Sequence, residues 1–135
     1  MRARFSAQWA LLHPTVVYRF QDDPEFSDGS EDPPQNANWV NVVTLTGVEP
    51  RQVEFGVQGR FRRGGILRVQ FWLVADDGAG IAAEYRDSVA AIFEGNTTNV
   101  AGVRFYATGT AEPVGREERW LRYQVDTRYD TDTLR

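Results

Sequence analysis

A chain of 135 residues that is 41% hydrophobic and 13% aromatic is sized for a single domain, residues 1–135, with a core of its own, and this composition excludes wholesale disorder. The absence of cysteine excludes a disulfide scaffold, thiolate metal sites, iron–sulfur clusters and cysteine nucleophiles, while a single histidine, His13, excludes histidine-rich zinc sites. A formal net charge of −4 argues against wrapping nucleic acid electrostatically, although repulsion helps where DNA only passes through an interior.

At the start, Phe5, Trp9 and Leu12 recur at helical spacing and predict a short N-terminal helix over Ala3–Leu12. Arg2 and Arg4 ahead of apolar residues raise the question of a signal peptide. Gln8 interrupts that run, His13-Pro14 closes it and no small-residue cleavage site follows, so a cytoplasmic product is expected. No apolar run approaches the ~20 residues of a membrane span. Thr15–Phe20 is β-branched and aromatic, a strand composition.

The character then changes. Gln21–Ala37 holds three prolines, one glycine and the acids Asp22, Asp23, Glu25, Asp28, Glu31 and Asp32, with no base. Phe26 is its only large apolar residue, so a long mobile acidic loop is expected. Asn38–Thr46 resumes as a strand with Trp39, Val43 and Leu45 on one face and Val40 and Val42 on the other. A turn over Gly47–Pro50, a short strand over Val53–Gln58 and a basic, glycine-bounded corner over Gly59–Gly65 follow.

The most regular strand comes next. Leu67, Val69, Phe71 and Leu73 share one face, opposite Ile66, Arg68, Gln70, Trp72 and Val74. Asp76-Asp77-Gly78-Ala79-Gly80 turns into the main helix, Ile81–Phe93, whose stripe is Ile81, Tyr85, Val89, Ile92 and Phe93 and which Gly95 stops. Strands over Val100–Thr108 and Trp120–Tyr129 flank a charged loop, Glu112–Arg119, and 130–135 reads as a tail. The whole predicts an α+β fold: a mostly antiparallel or mixed sheet of about five or six strands, the main helix and the short N-terminal helix packing on one face.

The search for chemistry is mostly negative. No nucleophile elbow, Walker loop, dinucleotide fingerprint or H-E-x-x-H is present. Gly78-Ala79-Gly80 opens a helix as phosphate loops do, but Asp76 and Asp77 would repel the anion. Asp23–Gly29 resembles the start of an EF-hand, yet its glycine falls one place late and helical flanks are missing. His13 suits a helix end better than general base catalysis, and Asn96-Thr97-Thr98 is a polar turn unless the chain is secreted. No catalytic residue, metal ligand or cofactor site is therefore expected, and no enzyme.

What remains is charge. Every one of the 15 basic residues is arginine, which fits both a GC-rich codon bias and the use of planar guanidinium forks at protein interfaces. Residues 59–68 hold Arg60, Arg62, Arg63 and Arg68 with no acid, against the uniformly acidic 21–37. One reading is a solvated loop and a basic hairpin. The other is a head-to-tail contact between copies, of a kind that closes into rings. Asp22, Asp23 and Glu25 would then meet Arg60, Arg62 and Arg63, with aromatics such as Trp72 or Trp120 in the interface core.

The run N-W-V-N-V-V-T-L, then G-R-F-R-R-G-G-I-L-R-V-Q-F-W-L-V, then D-D-G-A-G-I-A-A-E-Y-R-D-S-V-A-A-I-F resembles the tail terminator proteins of long-tailed phages and prophages. It is similar to a terminator-like family related to the lambda-type terminator. The resemblance covers about Thr15–Thr131 and includes Trp39, Gly65-x-Leu67-x-Val69, Gly78-x-Gly80, Gly102-Val103 and the aromatic final strand from Trp120. The chain departs from the family pattern at Asp76-Asp77, where a proline often precedes the glycine turn, and at Arg19-Phe20, where an asparagine often follows the first strand. The resemblance implies a virion structural protein made in the host cytoplasm. It would form a homo-oligomeric, hexameric ring at the head-proximal end of the tail. That ring caps the tail tube protein, stops its polymerisation and joins the head–tail connector or stopper protein. Genomic DNA passes the bore without sequence-specific binding, and no membrane is involved. The alternatives are another neck or tail component (stopper, connector or tube subunit) and a small-molecule-binding domain or enzyme using the sheet's open face, with a cleft beside His13 or Trp120.

Overall fold

The computed structural model describes residues 2–46, 51–52, 60–74, 78–94, 103–117 and 120–134, with 51–52, 60–61, 117 and 132–134 described through their backbone alone. Two helices, α1 (Arg2–Leu12) and α2 (Ala79–Phe93), accompany seven strands: β1 (Val17–Phe20), β2 (Trp39–Thr46), β3 (Arg51–Gln52), β4 (Arg60–Val74), β5 (Val103–Thr108), β6 (Glu112–Glu117) and β7 (Trp120–Leu134). They form one sheet of order β1-β2-β4-β7-β5, in which β3 pairs with β4 and β6 with β7. All pairings are antiparallel except β1 with β2. The fold is α+β, with a mixed, mainly antiparallel sheet and both helices on one face.

Strand alternation decides which face the helices cover. Leu67, Val69, Phe71 and Leu73 of β4 are buried with Val40 and Val42 of β2 and Val125 and Tyr129 of β7. Against them α1 sets Phe5 and Trp9, and α2 sets Ala82, Tyr85, Val89, Ile92 and Phe93. Phe5 and Trp9, one turn apart, stack at 5.3 Å with an interplanar angle of 13° and are fully buried. Each contributes roughly 2–3 kcal/mol by burial. Leu12, placed in the same stripe by spacing, is 48% exposed; it is the last residue of α1, where Pro14 keeps the helix from continuing. Arg4 crosses to the end of α2 and donates from Nε to the Ile92 carbonyl at 2.6 Å, a cation on the carbonyl-rich helix terminus.

Several expectations need correction, and strand pairing is the reason in each case. The basic corner over 59–65 is strand from Arg60 onward, the charged loop over 112–119 contains β6, and the tail over 130–135 is strand to Leu134. β4 and β7 pair along their whole length, from Arg60 opposite Leu134 to Val74 opposite Trp120, so the corner and the tail are held by partners distant in sequence. β6 instead pairs with the adjacent β7, Glu117 opposite Trp120. The expected turn at 47–50, the strand over Val53–Gln58, the Asp76-Asp77 turn, Gly95 and Asn96-Thr97-Thr98 lie outside the described residues.

The acidic loop is not free along its length. Phe26 is 3% exposed and packs edge-on against Trp39 at 5.3 Å. Ser27 N donates to the Tyr18 carbonyl at 2.8 Å, and Phe26 N to that of Ser30 at 2.8 Å. One aromatic side chain thus ties a polar segment to the uncovered sheet face.

Candidate functional site

The sheet face away from the helices is where this chain departs from a bare scaffold. At one end Phe26, Trp39 and Trp120 are buried together with the half-buried Val17 and Trp72 around them. Trp39 and Trp72, opposite each other in the β2–β4 register, stack at 4.1 Å and 10°. Trp120 meets Trp39 edge-on at 6.4 Å. Two guanidinium groups cover the cluster: Arg19 lies 4.8 Å from the Phe26 ring centre, and Arg122 lies 4.8 Å from that of Trp72. Arginine stacks this way because its planar, weakly hydrated cation is attracted to the ring face.

Further along the same face the groups become polar and mutually paired. Asn41 Nδ2 donates to Gln70 Oε1 at 3.0 Å. Arg68 holds Asp126 by two bonds, Nε to Oδ1 at 2.9 Å and the second guanidinium nitrogen to Oδ2 at 3.1 Å. This fork-to-carboxylate contact raises the Arg68 pKa further. Trp39 Nε1, Arg19 Nε and Asn41 Oδ1 are buried without a hydrogen-bond partner among the described residues. The last two belong to residues opposite each other in the β1–β2 register.

The charged residues singled out by the sequence are placed as follows. Asp22, Asp23 and Glu25 are exposed. Asp22 pairs with Arg2, and Asp23 Oδ1 accepts the Glu25 backbone N–H at 3.2 Å. Arg60, Arg62 and Arg63 stand on the stretch of β4 beyond β2, where β3 and the end of β7 flank them. Arg63 is exposed and Arg62 half-buried. The acid-free run 59–68 is not acid-free in space, since β7 sets Asp126 opposite Arg68, Asp130 opposite Gly64 and Asp132 opposite Arg62. Arg68 is thereby spent inside the protomer, whereas Arg63 and the acidic loop keep exposed charge. Trp72 and Trp120 belong to the chain's own aromatic cluster, and Trp120, expected at the surface, is 9% exposed.

His13 packs against the Trp9 and Tyr85 rings, and its Nε2 lies 2.7 Å from Ser88 Oγ. The Ser88 hydroxyl donates to the Glu84 carbonyl at 3.1 Å, so the imidazole donates to it. A serine whose proton is committed to its own helix is not set up as a nucleophile. Burial lowers the His13 pKa, opposed by the Glu84 carboxylate. Among the described residues no group of three or more acids and histidines is placed to hold a metal ion.

No protein-family model matches the chain, and no curated protein matches it. A solved structure, whose name is a bare sequence label stating no function, superposes on it with a TM-score of 0.55. The match covers 97% of this chain and 95% of that one at 13% identity. The likeness is one of fold alone.

The sequence reading missed the arginines over the aromatic cluster. Arg19 and Arg122 occupy the non-core parity of strands it had recognised, and strand parity carried that signal. It also missed Phe26, whose signal was its isolation: one large aromatic in an otherwise polar loop.

Proposed function

We propose that this chain is a ring-forming tail terminator of a long-tailed phage or prophage, built to cap the tail tube and join it to the head connector. Its resemblance to that family supplies the assignment. The observation that supports it best is the separation of charge within one protomer. Phe26 fixes the acidic loop at the Trp39–Trp72 end of the sheet. The exposed Arg63 lies toward the other end of β4, roughly 30 Å of strand from Trp72 at about 3.3 Å per residue. Exposed charge of opposite sign at the two ends of the sheet can meet on neighbouring copies, and a contact between unlike surfaces repeats head to tail until it closes. With six copies and DNA in the bore, the acidic net charge keeps the channel wall from trapping phosphates.

The test is assembly. Purified protein imaged by negative stain, alone and with tail tubes, is expected to give rings of one size or capped tubes. Replacing Arg60, Arg62 and Arg63 by Glu is expected to weaken ring formation or tube capping about tenfold, roughly 1.4 kcal/mol, without unfolding the domain. Wild-type assembly by that variant would reject the charge contact. Long stacks instead of rings would point to a tube subunit, and a monomer that turns over a metabolite would replace the proposal altogether.

A further inference from the structure

Among the described residues, one edge of the sheet is left open. β1 accompanies β2 only from Trp39 to Val42. The bond from Gln21 N to the Val42 carbonyl, 3.0 Å, is the last across that edge among the described residues. The backbone then turns away, Asp23 N donating to the Phe20 carbonyl at 2.9 Å. Backbone groups along a strand point alternately to its two sides. Because the Val42 carbonyl points outward, so do the N–H and C=O of Thr44 and Thr46. Thr44, Leu45 and Thr46 are exposed, and Val43–Thr46 contains no proline, no charge and no bulge, the devices that blunt a sheet edge. An open groove of about 540 Å³, lined by Phe20, Asp22, Thr44 and Thr46 among others, runs where β1 would have continued.

The opposite edge offers a partner. There β6 is blunted by Pro113, by Gly115 at φ 140° and by a shift of register between them. β5 has a register shift of its own between Phe105 and Thr108. Thr108 is capped from α2, its N–H donating to Glu94 Oε2 at 3.3 Å and its carbonyl accepting from Arg86 at 2.7 Å. The stretch that can pair is Val103–Phe105, next to the exposed Tyr106, at 40%. The registers set β5 and the open part of β2 at the same height. Thr46 faces Gly65, Gly65 faces Tyr129 and Tyr129 faces Phe105; likewise Thr44, Leu67, Thr127 and Thr108 form a row. Directions alternate along β2, β4, β7 and β5. Repeating that row side by side therefore brings β5 of one copy against β2 of the next in antiparallel sense. Leu45, 41% exposed, and Tyr106 then lie on the same open face at the junction.

We infer that copies of this chain join through their sheets, β5 of one protomer adding to the Val43–Thr46 edge of its neighbour. This deepens the ring reading and rests on it for closure, but the contact itself is separately testable. The chain has no cysteine of its own. Leu45 and Tyr106 of one protomer lie three strand spacings apart, about 14 Å, beyond the ~7 Å between Cα atoms that a disulfide tolerates. A chain carrying both Leu45→Cys and Tyr106→Cys is therefore expected to give, on mild oxidation, a ladder of covalent oligomers ending at the ring number. A mixture of the two single variants should stop at dimers, and each single variant alone should stay uncrosslinked. Adding Thr46→Pro, which removes the outward N–H in the row of Phe105, should abolish the ladder while circular dichroism shows the sheet intact. Oligomers seen by light scattering without a ladder would overturn this junction and leave the ring reading standing. Efficient crosslinking of Leu45→Cys alone would overturn it in favour of a symmetric edge pair. A ladder of open chains that never close would keep the junction and reject the ring. A monomer without crosslinks at the highest soluble concentration would overturn the junction.

Discussion

Gly65 lies where three strands are crossed by one side chain. The Tyr129 ring extends over it, and the Tyr129 hydroxyl lies 3.3 Å from Thr46 Oγ1. A Cβ at position 65 would fall within the Tyr129 ring's contact distance and 2.7 Å from the Leu45 carbonyl oxygen. Gly65→Ala is accordingly expected to cost about 2 kcal/mol in urea unfolding, as overpacking does. Tyr129→Phe, which keeps the ring and loses only the hydroxyl contact, is expected to cost about 1 kcal/mol. His13 gives a second residue-scale outcome. Its folded pKa is lowered by burial from 6.5, so on acidification the unfolded chain takes up the proton first. The stability due to neutral His13 is complete above that value and declines as pH falls through and below it. Urea midpoints compared at about pH 7.5 and about pH 5.5 should show this loss, and His13→Gln should flatten it. A profile unchanged by the substitution would place the titration elsewhere.

Among the elements, the loop over 21–37 shows what composition conveys and what it conceals. Its charge and prolines were plain, but that Phe26 would be buried against Trp39 depends on aromatics contributed from distant strands. Phe26→Ala is expected to destabilise the fold by about 3 kcal/mol. It should also speed cleavage after Glu25 or Glu31 by a glutamate-specific protease, with tryptophan emission moving to longer wavelength as the cluster opens. Equal cleavage rates in both proteins would mean that the side chain does not restrain the loop. The same contrast runs through the strands. β4 was legible from Ile66 to Val74 because its two faces differ in polarity. The stretch Arg60–Gly65 was not, since Arg62, Arg63 and Gly64 carry no alternation and are held as strand by Thr131, Asp132 and Asp130 across β7. β6, with Pro113 and Gly115, was hidden by its own turn-like residues. The helices read well because Phe5–Trp9 and Tyr85–Val89–Ile92 keep helical spacing.

At the scale of the whole molecule, α+β architecture followed from hydrophobic period alone, whereas the open face and its edges emerged only from register. Charge sets a further expectation for assembly. If exposed acids and arginines steer one copy toward the next, association should weaken as salt rises from about 0.05 M to about 0.5 M, because screening then acts over only a few ångströms. Sedimentation across that range would measure it, and indifference to salt would leave backbone pairing as the dominant contact. The order of strands also governs how the polypeptide matures. β7 lies between β4 and the edge strands β5 and β6, yet all three precede it in the chain. While the polypeptide is being synthesised, half the sheet has no central member to align on, and β5 and β6 must wait unpaired. Structure forms late and by distant pairings, a slow route. If copies join through β5 as proposed, a nascent chain cannot present that edge in place until β7 has been inserted, so assembly would follow completion of each chain.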